Sequence, residues 1–378
     1  MKLEKNMKIK TSEAVFRAHP DKVCDQVSDG ILDAILSKDK DSRVAIECLI
    51  KDNFLVVAGE VTTTNQIDYE HAAKEVLSHI GLEADEFEVL VKVSEQSKDI
   101  GQGVDKLGAG DQGIMYGYAT NETKEFLPLP YVIARNIARS MDIVNRENSE
   151  IFGLDGKCQV SIVYENDKPK HVSTIVVSAQ TKPGVDRLVY EQYIHDVIEE
   201  VVPSDLTDIN TLILINPTGE FVKGGSYADS GVTGRKLQID TYGTIIPHGG
   251  GAFSGKDYTK VDRSGAYFCR YVAKAIVKAG IANSCEVTVA YAIGVPFPVA
   301  IDVKGIESTF SDDKLRTIVN RFFDFSPSNI IKELKLKKQT YQSLAEYGHF
   351  GYLYYPWETI SDDLIKEIKK EAYGKKIY

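Results

Sequence analysis

RVAIECLI, residues 43–50, and FLVVAGEVTT, residues 54–63, decide the fold. Val44, Ile46, Cys48 and Ile50 alternate with polar or small neighbours, a period of two that gives a strand one apolar face. Lys51-Asp52-Asn53 turns the chain between the two runs, so the pair reads as a β-hairpin. The pattern recurs twice. CQVSIVYE starts at Cys158, turns at Asn166-Asp167 and returns as HVSTIVVSAQ. CEVTVAYA starts at Cys285, breaks from Gly294 to Pro298 and returns as VAIDV.

Helical periodicity flanks every hairpin. Val23, Val27, Ile31, Ala34 and Ile35 fall on one stripe, with Asp21, Lys22, Asp25 and Asp29 largely off it. A second helix is predicted from about Tyr131 to Met141, and a third around Phe268, Val272, Ile276 and Ala279, stopped by Gly280. Behind the hairpins, helices are predicted near Tyr69–Ile80, Asp186–Val201 and Asp312–Phe323. Helix–hairpin–helix therefore occurs three times, at intervals on the order of 115 to 130 residues. The fold class is α/β of the α+β type: three pseudo-symmetric subdomains, each a mostly antiparallel sheet with helices on one face. The expected divisions are 1–100, 101–222 (opening with a glycine-rich gating loop) and 223–378.

With 378 residues the chain exceeds one ordinary core, and its net charge of −10 argues against a nucleic-acid partner. A polyanion would need a local basic pocket. No apolar run is long enough for a membrane span, and MKLEKNMKIK has no apolar stretch behind it to make a secretory signal. Five scattered cysteines without a CxxC pair suit buried thiols in a cytoplasmic protein.

Four segments look chemical. His19-Pro20-Asp21-Lys22 opens the first helix; proline suits the first helical position and puts His19 at the mouth, where free amides attract phosphate. Asp21 offers a hard oxygen to Mg²⁺. Gly250 to Lys256 fits GxxxxGK, but Asp257 stands where a Walker loop needs Ser or Thr, and the next helix starts only near Asp262. The run is still a candidate phosphate cradle, with Lys256, Lys260 and a second metal-ligating carboxylate in Asp262. Gly108-Ala109-Gly110-Asp111-Gln112-Gly113, after Gly101-Gln102-Gly103, suggests a segment that closes over a ligand. In the fourth, Phe221 can stack on a base, Asp229 can hold a ribose hydroxyl or an amino group, and Arg235-Lys236 can grip phosphates. His71 and His79 share a helix without partner cysteines and read as surface or satisfied histidines.

HPDK followed by DQVSDGILDAIL, then GAGDQGIMYGYATNET, GRKLQIDTYG and PHGGGAFSGKDYTKVDRS together resemble the S-adenosylmethionine synthetases, from about Ser12 to Glu358. The resemblance implies three pseudo-symmetric subdomains. It also implies the reaction: the sulfur of L-methionine attacks C5′ of ATP in line, tripolyphosphate leaves, and the latter is hydrolysed to pyrophosphate and phosphate. Carried over, His19, Arg235 and Lys256 are the catalytic residues. Asp155, Lys157, Phe221, Asp229, Lys236 and Ala252 join them around the nucleotide. Glu60, Gln96, Asp111, Asp229 and Lys260 are methionine positions; Asp21 and Asp262 serve a pair of Mg²⁺ ions, and Glu47 serves K⁺. The implied assembly is a homodimer with the site at its interface, commonly paired into a tetramer.

Four departures stand out. Phe16-Arg17-Ala18 replaces a Ser-Glu-Gly type run, Glu220 precedes Phe221 where a basic residue is common, and Ser230 sits where cysteine is frequent. Only Lys106-Leu107 separates GQGVD from GAGDQG, so the gating loop is short, with weaker methionine binding or faster product release as the expectation. A catalytically silent regulatory relative is the alternative, but it predicts losses among the charged site residues, and His19, Asp21, Lys256, Lys260 and Asp262 are all present. A P-loop NTPase requires the Ser or Thr that Asp257 replaces.

Overall fold

The computed structural model describes residues 7–95 and 108–374, and within them all three hairpins are present. Arg43–Lys51 (β2) pairs antiparallel with Phe54–Thr62 (β3), Phe152–Glu165 (β6) with Lys168–Thr181 (β7), and Ser284–Tyr291 (β10) with Ala300–Ile306 (β11). The first two turn through two residues, where Asp52, Asn166 and Asp167 have φ of 50°, 50° and 59°. Asn and Asp tolerate that left-handed backbone, which short hairpins need.

Helices flank each hairpin in the predicted order. Pro20–Lys38 (α1) and Tyr69–Ile80 (α2) enclose the first, Leu129–Glu147 (α3) and Arg187–Val201 (α4) the second. Leu237–Asp240 (α5) is a single turn; Val261–Lys278 (α6) and Asp312–Phe322 (α7) enclose the third hairpin. α3 starts earlier and runs further than its apolar stripe suggested. Side-chain caps explain several starts: Asp68 accepts from the His71 amide, Asp186 from Leu188, and Ser311 from Lys314.

Each sheet is completed by strands that the alternation did not single out. Met7–Val15 (β1) pairs with β6, Gly113–Thr120 (β5) with β10, and Gly231–Val232 (β9) with β2. Glu88–Ser94 (β4) and Leu212–Ile215 (β8) lie parallel to β3 and β7. The strand orders are β4-β3-β2-β9, β1-β6-β7-β8 and β11-β10-β5. Every hairpin thus takes a strand from a distant part of the chain, and the three sheets are laced to one another. The first and third hairpins share one hydrophobic core, while the second has its own.

That lacing buries residues 20–32 of α1 on all sides. Val23, Val27, Ile31 and Ile35 belong to the core as the stripe requires. Asp21, Lys22, Asp25 and Asp29, off the stripe, are buried as well. β9, the chain after it and the 249–257 loop cover that side of the helix, through hydrogen bonds to Asp21, Asp25 and Asp29.

Candidate active site

His19 is the N-cap of α1, and its Nδ1 accepts the Asp21 amide at 3.2 Å. With Nδ1 engaged as an acceptor, the proton resides on Nε2, free to donate outward. Burial, followed by the positive charge of Lys236, lowers the His19 pKa to about 4, so the ring is neutral at physiological pH.

Asp21 is the hub of this end. Its Oδ1 accepts the Val232 amide at 2.9 Å, and its Oδ2 lies 2.5 Å from Lys236 Nζ. Arg235 Nε stands 3.8 Å from the same carboxylate, with its side chain half exposed. Burial disfavours the charged form of Asp21, but the hydrogen bonds from Lys236 and Val232 outweigh it and hold the carboxyl below its usual range. Lys157, in β6 opposite Val15, and Asp229 are close enough to act electrostatically on His19. The Asp229 side chain caps its own turn by accepting the Ser230 amide at 2.8 Å.

The glycine–lysine loop forms the second half. It is sewn to β2: the Ile46 amide donates to Gly255 O, the Asp257 amide donates to Val44 O, and the Asp257 carboxylate accepts the Val44 amide. Lys256 Nζ lies 2.5 Å from Asp262 Oδ2, and Lys260 Nζ 3.3 Å from Asp257 Oδ2. At Gly251 a side chain would strike the Asp262 carboxylate, so glycine is what allows the loop to close on that acid. The two halves touch where Gly234 packs against the Ala252 methyl. Two basic–acidic pairs result, Lys236–Asp21 at the cap of α1 and Lys256–Asp262 at the glycine–lysine loop.

Asp155 accepts the Gly225 amide at 2.8 Å and borders a cavity of about 240 Å³ with Ala18, Leu82, Gln180 and Tyr227. Burial pushes its carboxyl up to about 6. Phe221 is half-buried, its carbonyl accepting the amide of Thr181, the residue after Gln180. Asp111 accepts the Gln112 amide just before β5, whose first residue, Gly113, lies beside Asp262.

Glu60 shares a sheet face with Lys256, because Ala45 pairs with Glu60 on one side and bridges antiparallel to Lys256 on the other, and Glu47 lies on that face too. Ala45 and Glu60 are partners in the β2–β3 ladder, as are Glu47 and Ala58, so both glutamates are exposed on the sheet face turned away from α1. Gln96 and the candidate gating-loop residues Gly101-Gln102-Gly103 and Lys106-Leu107 lie outside the described residues. The His71 ring lies 3.4 Å from Glu75, and the His79 carbonyl takes the Arg17 guanidinium. Reading the sequence passed over His248, whose Nδ1 accepts the Gly250 amide at 2.9 Å next to Asp262. It also assigned nothing to Asp25 and Asp29.

Three family models cover nearly the whole chain: the N-terminal, central and C-terminal domains of S-adenosylmethionine synthetase match residues 7–100, 106–221 and 223–359. The chain belongs to the S-adenosylmethionine synthetase family. Among its relatives named S-adenosylmethionine synthase, that of Clostridium tetani is 46% identical, aligned over 96% of this chain and 99% of its own. The Clostridium botulinum protein is 45% identical over 95% and 98%, and the Thermus thermophilus protein 43% over 97% and 99%.

Proposed function

We propose that the chain synthesises S-adenosylmethionine from ATP and L-methionine, with His19, Arg235, Lys236 and Lys256 around the triphosphate. The observation that carries the reading is the pairing of each acid suited to a metal with a lysine suited to a phosphate: Asp21 with Lys236 and Asp262 with Lys256. In such an arrangement the polyphosphate takes the lysines and its accompanying cations take the carboxylates, so no charge is left unpaired when substrate enters.

The fit to Mg²⁺ rests on donor chemistry. Asp21 and Asp262 offer hard carboxylate oxygens already directed at positive charge, and Mg²⁺ is commonly held by one or two carboxylates plus substrate phosphates. Among the described residues no cluster of three or more acids, histidines or cysteines forms a protein-only cage. Bound there, Mg²⁺ would neutralise charge on the leaving triphosphate. Glu47 offers an exposed carboxylate for K⁺.

Methionine sulfur needs no general base. Its lone pair forms the S–C5′ bond while the C5′–O5′ pair departs with tripolyphosphate, leaving a sulfonium. The protein's task is therefore to hold the two reactants in line and to stabilise charge on the departing oxygen. Neutral His19 donates from Nε2, and the cationic side chains follow the charge. Water then divides the tripolyphosphate into pyrophosphate and phosphate within the same basic surface. Asp155, Lys157, Phe221, Asp229 and Ala252 take the adenosine side, and Glu60, Gln96, Asp111 and Lys260 the methionine side.

The position of Glu47 and Glu60 on an open sheet face supports a homodimer, in which a partner's face completes the site. Leu49, Leu90 and Ile114, 42%, 52% and 49% exposed, provide apolar surface on the same class of faces. Pairing of dimers into a tetramer and the division of the chain at residues 100 and 222 belong to the same reading. All five cysteines are free and buried, which fits a cytoplasmic protein, and no described helix is long and apolar enough to cross a membrane. Nothing in the charged residues favours a catalytically silent role. Incubation with ATP, Mg²⁺ and K⁺ tests the reading: S-adenosylmethionine is expected only when methionine is added, and its absence from folded, assembled protein would reject it.

A further inference from the structure

Asp21, Asp25, Asp29 and Asp33 occur at every fourth position of α1, which stacks them along one side of the helix, with about 6 Å of rise between neighbours. Like charges at that spacing repel, and aspartate is a poor helix former, so the row is unfavourable for the helix itself. Each member accepts backbone amides from a segment far away in sequence. Asp21 takes the Val232 amide at 2.9 Å, Asp25 takes Gly234 at 2.8 Å, and Asp29 takes Gly255 at 2.8 Å. Asp33 takes Tyr341 and Gln342.

The middle two are alike in detail. Gly234 immediately precedes Arg235-Lys236, and Gly255 immediately precedes Lys256. Both glycines have φ of +78°, and neither has room for a side chain, being pressed against the Ala252 methyl and the Ile46 carbonyl respectively. A left-handed glycine sets the direction in which the next residue leaves, and the aspartate holds that glycine by its amide. The carboxylates are in turn fully buried and compensated. Lys22 lies 3.0 Å from Asp25 and 2.6 Å from Asp240, and Arg263 grips Asp29 at 2.7 and 2.8 Å.

We propose that Asp25 and Asp29 are positioning residues for the phosphate-gripping cations, Asp25 for Arg235-Lys236 through Gly234 and Asp29 for Lys256 through Gly255. The inference rests on the function proposed above and deepens it. Burial pushes the Asp25 carboxyl up to about 7, and either protonation form retains an oxygen for the Gly234 amide. An asparagine therefore substitutes for it in the one respect that matters, whereas alanine does not.

Asp25→Ala, Asp25→Asn and Asp33→Ala are the variants to compare, because Lys22 keeps Asp240 when Asp25 is removed, whereas Asp29→Ala would strand Arg263. Asp25→Ala is expected to lower kcat/KM for ATP about 30-fold, in the range of a site loosened by a fraction of an ångström, with the methionine KM within about twofold. Asp25→Asn recovers most of that loss. Asp33→Ala, which frees a segment bearing no phosphate ligand, lowers the melting temperature but leaves kcat/KM for ATP within about twofold of wild type. The proposal is overturned if Asp25→Ala keeps its ATP specificity constant, if asparagine fails as badly as alanine, or if Asp33→Ala loses ATP turnover in parallel. Calorimetry with inorganic tripolyphosphate and Mg²⁺ separates this from the functional reading. Wild type that makes no S-adenosylmethionine rejects that reading, while tripolyphosphate affinity that is equal in wild type and Asp25→Ala rejects the positioning role.

Discussion

Replacing Lys256 by methionine separates a residue that merely holds ATP from one that stabilises its departure. In the free protein Lys256 Nζ is 2.5 Å from Asp262 Oδ2, and the two side chains are 22% and 10% exposed. A unit charge pair near a protein surface is worth about 4 kcal/mol at 4 Å with an effective dielectric constant of 20. Lys256 already has that attraction before ATP arrives, so moving it from carboxylate to phosphate gains little in the ground state. The gain comes when extra charge develops on the leaving oxygen. Loss of one such donor costs on the order of 10²–10³ in kcat. Lys256→Met is therefore expected to lower kcat by that factor, with the ATP KM rising less than about tenfold. Steady-state assays of S-adenosylmethionine formation at varied ATP give both constants, and circular dichroism checks the fold. A large rise in KM with unchanged kcat would refute the reasoning, because Lys256 would then bind substrate and transition state equally.

Other consequences are local. Glu358 is fully buried and accepts from Arg270 at 2.9 Å and Lys274 at 2.6 Å, so Glu358→Gln strands two cations and is expected to cost about 3–5 kcal/mol, read as a fall in the urea midpoint. His19 should titrate near pH 4 by NMR in the free protein, and Lys236→Met should raise that value by removing the adjacent charge. Because the folded value lies below the ordinary 6.5, this residue's contribution to stability is complete above about pH 6.5 and declines as pH falls toward 4. Gly251→Ala pushes a methyl into the Asp262 carboxylate and should reduce kcat by about 10², with little change in the melting temperature, if ångström-scale placement of that acid matters.

The hairpins were legible because Val44 to Ile50 and Cys285 to Tyr291 bury one face only, which writes the period of two into the residues, and Cys158 to Tyr164 keeps enough of that period although Ser161 and Val163 on its other face are buried as well. β5 and β9 were not. Gly113–Thr120 carries two glycines and no strict alternation, and Gly231–Val232 is too short for any pattern; both are strands only because distant partners receive them. The same cause hid the aspartate row on α1, whose acids look like a solvated face until the chain from 231 to 257 closes over them. His19 and the glycine–lysine run were found because local rules of helix capping and glycine backbone carry their meaning. Glu47 and Glu60 were found by resemblance alone, because alternation along β2 and β3 marks their face only as exposed, and the bridge from Ala45 to Lys256 that adds a lysine to that face joins residues far apart in sequence.

Rapid mixing of the wild-type protein with Mg-ATP and methionine in a single turnover, with every adenosine and phosphate product quantified, tests the central claim most directly. Attack at C5′ is expected to give S-adenosylmethionine in equal amount to the sum of tripolyphosphate and pyrophosphate, with no ADP or AMP, and nothing without methionine. ADP or AMP as the adenosine product would mean that the site cleaves between phosphates, and would contradict the account.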